Sequence, residues 1–201
     1  MMKYICIALL LMCLNGFAQD YKTQIAEHRK QYMADFLEDK SSPLKKDDLQ
    51  FLRFYDADST YRVKARAELA SGTTPFIIPA FSGGGSNYVK YALLKMNVAG
   101  KPIELTVYRN VALSKMPAYA DYLFLPFTDD TNGKETYSGG RYIDLREKDF
   151  AGNTVTIDFN KAYNPYCAFG GGYACPKPPD ENQLHLAIKA GEKLYGKELK
   201  H

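Results

Sequence analysis

The stretch that decides the fold is Tyr61-Arg62-Val63-Lys64-Ala65-Arg66-Ala67-Glu68-Leu69. Its odd-numbered residues are apolar and its even-numbered residues are charged, without a break. Because successive side chains of a β-strand point to opposite faces, this pattern predicts a strand with one face buried and the other in water.

Four further segments predict strands: residues 88–98, 103–108, 122–127 and 154–159. Residues 99–102 (Ala-Gly-Lys-Pro) have the composition of a hairpin turn, and Asn132-Gly133 is the strongest short hairpin signal in the chain. Consecutive hairpins in one small domain must close or stack to cover their edges. The predicted fold is therefore mainly β, with an antiparallel sheet that is barrel-like or forms a sandwich.

The residues before this β part predict helices. Residues 21–37 place apolar side chains at helical spacing with charged residues between them, which is typical of an amphipathic helix. Ser42-Pro43 favours the start of a second, shorter helix. We expect one domain over residues 19–201, in which a helical segment (19–53) packs on the β part (54–201) or plugs one end of it.

The start of the chain has the features of an export signal. Lys3, the apolar run 4–14 and the small-x-small triplet Gly16-Phe17-Ala18 predict a signal peptide over residues 1–18. The run is too short for a membrane span, which takes roughly 20 apolar residues, and no second such run follows. A lipid anchor on Cys13 is the less favoured alternative, because Met12 is bulky where a lipoprotein signal has a small residue. We expect an exported protein, periplasmic or secreted.

Residues 163–179 are rich in proline, glycine and aromatic rings, which predicts a long C-terminal loop. Long loops in compact domains are often functional. The loop contains Cys167 and Cys175, the two cysteines that remain after signal cleavage. An oxidising compartment favours a disulfide between them, whereas zinc would need about four close ligands and finds only His185 nearby. We expect a disulfide and no metal site.

Several segments of the second half resemble one known family. They are residues 122–129, 131–137, 139–145, 158–168, 175–182 and 188–193. Together they resemble the bacterial domain of unknown function numbered 1684, over most of the chain after the signal and most specifically from Tyr122 onward. The resemblance implies kinship and supplies no mechanism.

The remaining motifs do not require a cofactor. If Gly133 is taken as the sixth position of a calcium loop, Thr128 occupies the first position and Gly139 the twelfth. Both carboxylates that such a loop needs at these positions are therefore missing. Gly83-Gly84-Gly85 leads into a predicted strand, whereas a phosphate-binding loop leads into a helix. The sequence contains no Gly-x-Ser-x-Gly motif, and its formal net charge of +3 includes no basic run that would favour nucleic acid. We expect no cofactor and no nucleic-acid partner, and the sequence predicts no particular protein partner.

The site candidates are polar and aromatic residues on strand ends and on the loop. The candidate acids and bases for catalysis are Glu135, Asp158, Glu181 and His185. The candidate ligand contacts are Arg141, Tyr142, Asn160, Tyr163, Asn164 and Asn182. Arg141 has two interpretations: a charge pair with Glu135 or Asp158 that ties the loop to the sheet, or a contact for an anionic ligand at the barrel mouth.

Three functions stay open from the sequence. The favoured one is an exported binding or accessory protein that holds a small ligand. The second is a cofactor-free hydrolase with paired carboxylates, one of which has a raised pKa. The third is a structural or interaction module. Two carboxyl groups in one cleft would favour the hydrolase, and the lack of any pocket would favour the module.

Overall fold

An eight-stranded antiparallel sheet forms the body of the protein in the computed structural model, which describes residues 2–72 and 74–198 and the side chains from Asp20 onward. The strands are β1 (Arg62–Leu69), β2 (Phe76–Pro79), β3 (Gly85–Val98), β4 (Lys101–Asn110), β5 (Tyr122–Phe127), β6 (Arg141–Arg146), β7 (Phe150–Ala151) and β8 (Thr154–Asp158). Their order is β6-β5-β4-β3-β1-β8-β7, and β2 pairs with the start of β3. The predicted mainly β class, with an N-terminal helix, is confirmed.

The sheet is open and does not form a closed barrel. Within the described residues, its terminal strands β6 and β7 do not pair with each other. The free edge of β6 is instead covered by a bridge between Tyr142 and Tyr163, whose main-chain groups exchange two hydrogen bonds of 2.9 and 3.0 Å. A covered edge offers no template for another strand.

The main core lies on one face of the sheet. In β1, Ala65 and Ala67 are buried while Arg66 and Glu68 are exposed, as the alternation predicts. The fully buried large side chains of this core come from several strands and from the chain after β8: Leu94, Leu105, Leu123, Leu125, Phe127, Ile157, Phe159 and Ile188. Burial of each such side chain contributes roughly 1.5–3 kcal/mol.

The opposite face of β5 and β6 carries a second set of side chains. Phe124 lies directly across from Asp144, and Tyr142 and Tyr122 follow on the same face. Tyr142 and Phe124 belong to an aromatic cluster that Tyr163 also contacts. This face positions the candidate site.

Helix α1 (Met2–Glu38) packs along the β part through long-range contacts. The Tyr21 hydroxyl donates to Asp158 at 2.8 Å, and Arg29 donates to the carbonyl oxygen of Tyr55 at 2.8 Å. The side chains of the predicted signal peptide, residues 1–18, lie outside the described residues. Among the described residues, no helix is both long and apolar enough to cross a membrane.

The C-terminal segment (residues 180–196) contacts distant parts of the chain, among them Phe54, Thr128 and Ala162. In the described chain, β4 and β5 pair only at Tyr108 and Phe124. Asn182 fills the gap: its side-chain amide donates to the carbonyl oxygens of Thr106 and Pro126, and its side-chain oxygen accepts from the Thr106 N–H at 2.7 Å. This one side chain therefore replaces part of the missing strand ladder.

Two local expectations differ from the structure. The second helix is a short 3-10 turn (Lys46–Phe51), because the Asp48 carboxylate accepts from the N–H of Lys45 and starts the turn there. Asn132-Gly133 lies inside the long connection between β5 and β6 rather than in a two-residue hairpin. The Asp129 side chain binds the N–H and hydroxyl of Thr131 and folds this connection on itself.

Candidate functional site

A cavity of about 590 Å³ lies between α1, β6 and the chain from residue 161 to residue 176. Six aromatic rings line it: Tyr32, Phe36, Tyr142, Tyr163, Tyr166 and Tyr173. They come from three separate parts of the chain, so the cavity exists only in the folded protein.

Asp144 is the central polar group of the cavity. It sits on β6 between Ile143 and Leu145, which point into the core, so strand alternation turns Asp144 to the cavity side. The hydroxyls of Tyr122 and Tyr163 both donate to its Oδ1 at 2.7 Å. Among the described residues nothing donates to Oδ2, and the side chain is exposed where it faces the cavity.

The surroundings of Asp144 also set its charge. Partial burial raises the pKa of Asp144, while the hydrogen bonds from Tyr122 and Tyr163 offset part of the rise. The side chain remains open to solvent on its cavity side.

The aromatic walls are held by their own hydrogen bonds. The Tyr142 hydroxyl donates to the carbonyl oxygen of Pro176, and the Tyr173 hydroxyl donates to that of Ser41 at 2.8 Å. The Tyr166 hydroxyl donates to the Asp39 carboxylate at 2.7 Å. These bonds link the C-terminal loop to β6 and to the chain just after α1, so the walls are fixed before a ligand enters.

The ring contacts are mostly edge-to-face. Tyr142 and Tyr163 have centroids 5.8 Å apart at 88°, and Tyr166 and Tyr173 have centroids 5.3 Å apart at 80°. Burial raises the pKa of Tyr32 and of Tyr163 well above the usual value, so both phenols are neutral at physiological pH. The tyrosine walls are therefore uncharged rings whose hydroxyl groups already donate to acceptors of the protein.

Three titratable side chains stand at the rim. Asp35 and Lys161 are exposed, and His28 is partly buried. Burial, and then the charge of Lys161, lower the pKa of His28, so its imidazole is neutral near pH 7. The rim thus carries one negative and one positive group, both in contact with water.

A buried carboxyl lies behind the Tyr32 wall. Glu192 is fully buried, and its Oε2 accepts from the Tyr32 hydroxyl at 2.9 Å and from the Asn164 N–H at 2.8 Å. Burial raises the pKa of Glu192 to about 8, so the group is protonated at neutral pH. Within the described chain, Glu192 Oε1 and Asn164 Oδ1 are buried without a partner. A protonated carboxyl adds an O–H donor that an ionised one lacks.

Cys167 and Cys175 form a disulfide, with their Cα atoms 6.2 Å apart. Cys175 is buried and lines the cavity together with its neighbours Ala174 and Pro176. The bridge therefore ties down the loop that forms one cavity wall.

Arg141 lies away from the cavity. Its side chain is fully buried and donates to Asp129 at 2.7 Å and to carbonyl oxygens of Ile188, Ala190 and Glu192. Its carboxylate partner is neither Glu135 nor Asp158. The geometry favours the interpretation of Arg141 as a strut between β6 and the C-terminal segment over that of a ligand contact.

The four candidate acids and bases do not converge. Glu135 pairs with Lys189 at 3.4 Å, Asp158 accepts from Tyr21, and His185 is exposed on the surface. Glu181 is exposed and accepts hydrogen bonds from Lys90 and Tyr108. Partial burial raises the pKa of Glu181, but these two hydrogen bonds outweigh it, so the pKa is lowered overall. The paired-carboxylate arrangement expected for a hydrolase is therefore not formed by these residues.

The candidate ligand contacts divide into two groups. Tyr142 and Tyr163 line the cavity. Asn160, Asn164 and Asn182 are buried and bind main-chain groups: Asn160 exchanges hydrogen bonds with Asp58, and Asn164 donates to the carbonyl oxygen of Lys193.

Sequence reasoning missed the helix wall and Asp144. His28 and Tyr32 look like ordinary members of an amphipathic helix, and no local pattern marks them. Asp144 does carry a signal, because it is an acidic residue between two apolar ones in a stretch that resembles the family. Its placement among tyrosines depends on Tyr122 and Tyr163, which are remote from it in sequence.

Comparisons with known proteins give a family and a structural relative. A family described as "Protein of unknown function (DUF1684)" matches residues 47–193. The solution NMR structure of the uncharacterized protein from gene locus rrnAC0354 of Haloarcula marismortui is similar, with 30% sequence identity and a TM-score of 0.68. That match covers 93% of this chain and 100% of the other. No curated protein matches.

Proposed function

The chain belongs to the DUF1684 family of proteins of unknown function, and we propose that it is an exported protein that binds a small molecule in the cavity between α1, β6 and the C-terminal loop. The observation that carries the proposal is the Asp144 carboxylate. Its Oδ1 is held by two tyrosine hydroxyls, and its Oδ2 faces the cavity without a donor from the described residues.

The size and lining of the cavity support a small ligand. Ligand pockets usually measure roughly 300–1,000 Å³ and combine apolar or aromatic walls with a few placed polar groups. A volume of about 590 Å³, six rings and one central carboxylate match that description. The open carboxylate oxygen favours a ligand that donates a hydrogen bond to it, because hydrogen bonds to an ionised acceptor are stronger than neutral ones.

Export is part of the proposal and rests on different observations. The disulfide is compatible with an oxidising compartment. Cleavage after Ala18 would leave every α1 residue of the cavity lining in place, since these residues run from His28 to Phe36. The mature protein would therefore keep the whole cavity.

A thermal-shift screen against a metabolite library tests the proposal. A compound that binds the folded state raises the melting temperature by mass action. The Ala174→Trp variant fills the cavity from the loop and should lose the shift given by each hit. Gly171→Trp is the matched control: it adds the same ring to the same loop, where the space around Gly171 is open. A library without hits, or hits that survive in Ala174→Trp, would refute the proposal and favour a structural or interaction module.

A cofactor-free hydrolase is the second candidate, and the raised pKa of Asp144 favours it. A carboxyl group whose pKa is raised is better suited to act as a general acid or base than an ordinary exposed carboxylate. Each hit should therefore be incubated with the protein and followed by mass spectrometry. Turnover that disappears in Asp144→Asn would support catalysis, and an unchanged ligand would support binding alone.

A further inference from the structure

We propose that the ligand is a protonated amine with an aromatic or apolar body, whose ammonium group pairs with Asp144. This inference rests on the proposed function, because it assigns a chemical class to the occupant of the same cavity. It is carried by the arrangement of charges and rings around Asp144.

The two oxygens of Asp144 have different partners. Oδ1 accepts from Tyr122 and Tyr163, which fixes the plane of the carboxylate and turns Oδ2 toward the cavity. No salt bridge forms between Asp144 and a lysine or arginine of the described chain. The nearby Arg146 pairs instead with Asp121 at 2.7 Å. A cavity-lining carboxylate without a salt-bridge partner attracts a cationic ligand, because charge-assisted hydrogen bonds are about twice as strong as neutral ones.

The walls suit the same class of ligand. The face of an aromatic ring is negative, and an ammonium group within about 6 Å of a ring centroid gains cation–π attraction. The phenols stay neutral, so each ring keeps this face without adding a competing charge. Phe36, Pro165 and Ala174 add apolar surface for the body of the ligand.

The other charged groups at the cavity do not cancel this preference. Asp35 on α1 adds a second negative charge, and His28 on the same helix is neutral near pH 7. Lys161 supplies the one positive side chain of the lining, but it is exposed and hydrated at the rim. The lining therefore carries two carboxyl groups, Asp144 and Asp35, against one lysine, Lys161.

Amine binding should depend on pH in a defined direction. Burial raises the pKa of Asp144, and a protonated carboxyl cannot form the ion pair. Affinity for an amine should rise with pH while Asp144 loses its proton, and should level off above that range. The titratable and charged groups around Asp144 are the neutral phenols of Tyr122, Tyr163 and, on α1, Tyr32, together with the guanidinium of Arg146 on β6 itself.

The experiment uses matched compounds on three bodies: phenyl, indole and cyclohexyl. Each body carries a two-carbon amine, the corresponding alcohol or the corresponding carboxylate, and binding to the disulfide-bonded protein is measured by calorimetry. We expect at least one amine to bind about tenfold or more tightly than its alcohol, and its carboxylate to bind more weakly still. Asp144→Asn should abolish the preference for the amine, since the amide still accepts from both tyrosines but carries no charge.

Glu104→Gln is the control for net charge, because it removes one exposed carboxylate from β4, outside the cavity lining. It should leave the amine preference unchanged. The inference is overturned if no amine binds, if the alcohol or carboxylate binds as tightly, or if Asp144→Asn keeps the preference. Library hits that are blocked by Ala174→Trp but are neutral or anionic would overturn the amine assignment alone and leave the proposed function standing.

Discussion

Replacing Arg141 by methionine removes the one charge that balances Asp129 while keeping a long side chain in place. Both side chains are fully buried, and the Nη2–Oδ2 distance is 2.7 Å. The guanidinium also donates to three carbonyl oxygens of the C-terminal segment, at Ile188, Ala190 and Glu192. The Arg141→Met variant therefore leaves a buried carboxylate and three carbonyl groups without their donors.

The expected loss is large compared with the stability of a typical domain. Breaking a buried ion pair by removing one partner costs about 3–5 kcal/mol, against total stabilities of about 5–15 kcal/mol. For a chain of this size, each kcal/mol lowers the melting temperature by about 2–4 °C, so the drop should be roughly 6–20 °C. Asp129 keeps its bonds from Thr131, which places the expected cost inside this range rather than above it.

Urea unfolding followed by circular dichroism, with the disulfide intact, measures the free energy of unfolding. Arg146→Met is the matched control: it breaks the exposed pair with Asp121 and should cost less than about 1 kcal/mol. Adding Asp129→Asn to Arg141→Met should recover part of the loss, because the uncompensated charge is gone. An Arg141→Met variant within about 1 kcal/mol of the parent would show that Arg141 is not the strut described above.

Three further changes test other parts of the structure. Glu192→Gln should flatten the pH dependence of stability. The pKa of Glu192 rises from 4.5 to about 8 on folding, so the parent holds an extra proton in this range and loses about 1.4 kcal/mol of stability per pH unit as pH rises through it. Replacing Cys167 and Cys175 by serine should cost about 2–3 kcal/mol through the freed loop and weaken every cavity ligand. Asn182→Ala should cost roughly 2–4 kcal/mol, because three main-chain groups of β4 and β5 lose their partner.

Each of these expectations has a contradicting result. Parallel stability curves for Glu192→Gln and the parent, from about pH 5 to about pH 8, would show that Glu192 does not carry the extra proton. Unchanged ligand affinity in the serine variant would mean that the loop holds its place without the bridge. A cost for Asn182→Ala that matches that of an exposed asparagine, such as Asn153, would remove Asn182 from the joint between β4 and β5.

The sequence predicted best where a local pattern suffices. The strict alternation of residues 61–69 identified β1, and the alternation in residues 155–159 identified β8, because strand geometry has a period of two residues. The pairing of Cys167 with Cys175 followed from the number of cysteines and the proposed compartment. The spacing of apolar residues in α1 identified the helix and its buried side.

The cavity could not be predicted in the same way. Tyr32 faces a cavity because Glu192, 160 positions later, lies behind it. Asn164 and Asn182 were selected as polar residues out of place, and both are buried, but they bind main-chain groups that no short-range pattern identifies. Asp144 becomes a site residue only when Tyr163 reaches it from the other side of the sheet edge.

The joint between β4 and β5 has a consequence for how the chain reaches its folded form. Both strands precede residue 128, but the side-chain amide that connects them belongs to Asn182, 56 positions after Pro126. The guanidinium of Arg141 likewise donates to carbonyl oxygens within residues 188–192, about 50 positions later in the chain. Contacts between positions that are distant in sequence form late, because the chain must first lose the entropy of closing the long loop between them. The contacts of Asn182 and of Arg141 can therefore form only after residues 182–192 have been synthesised.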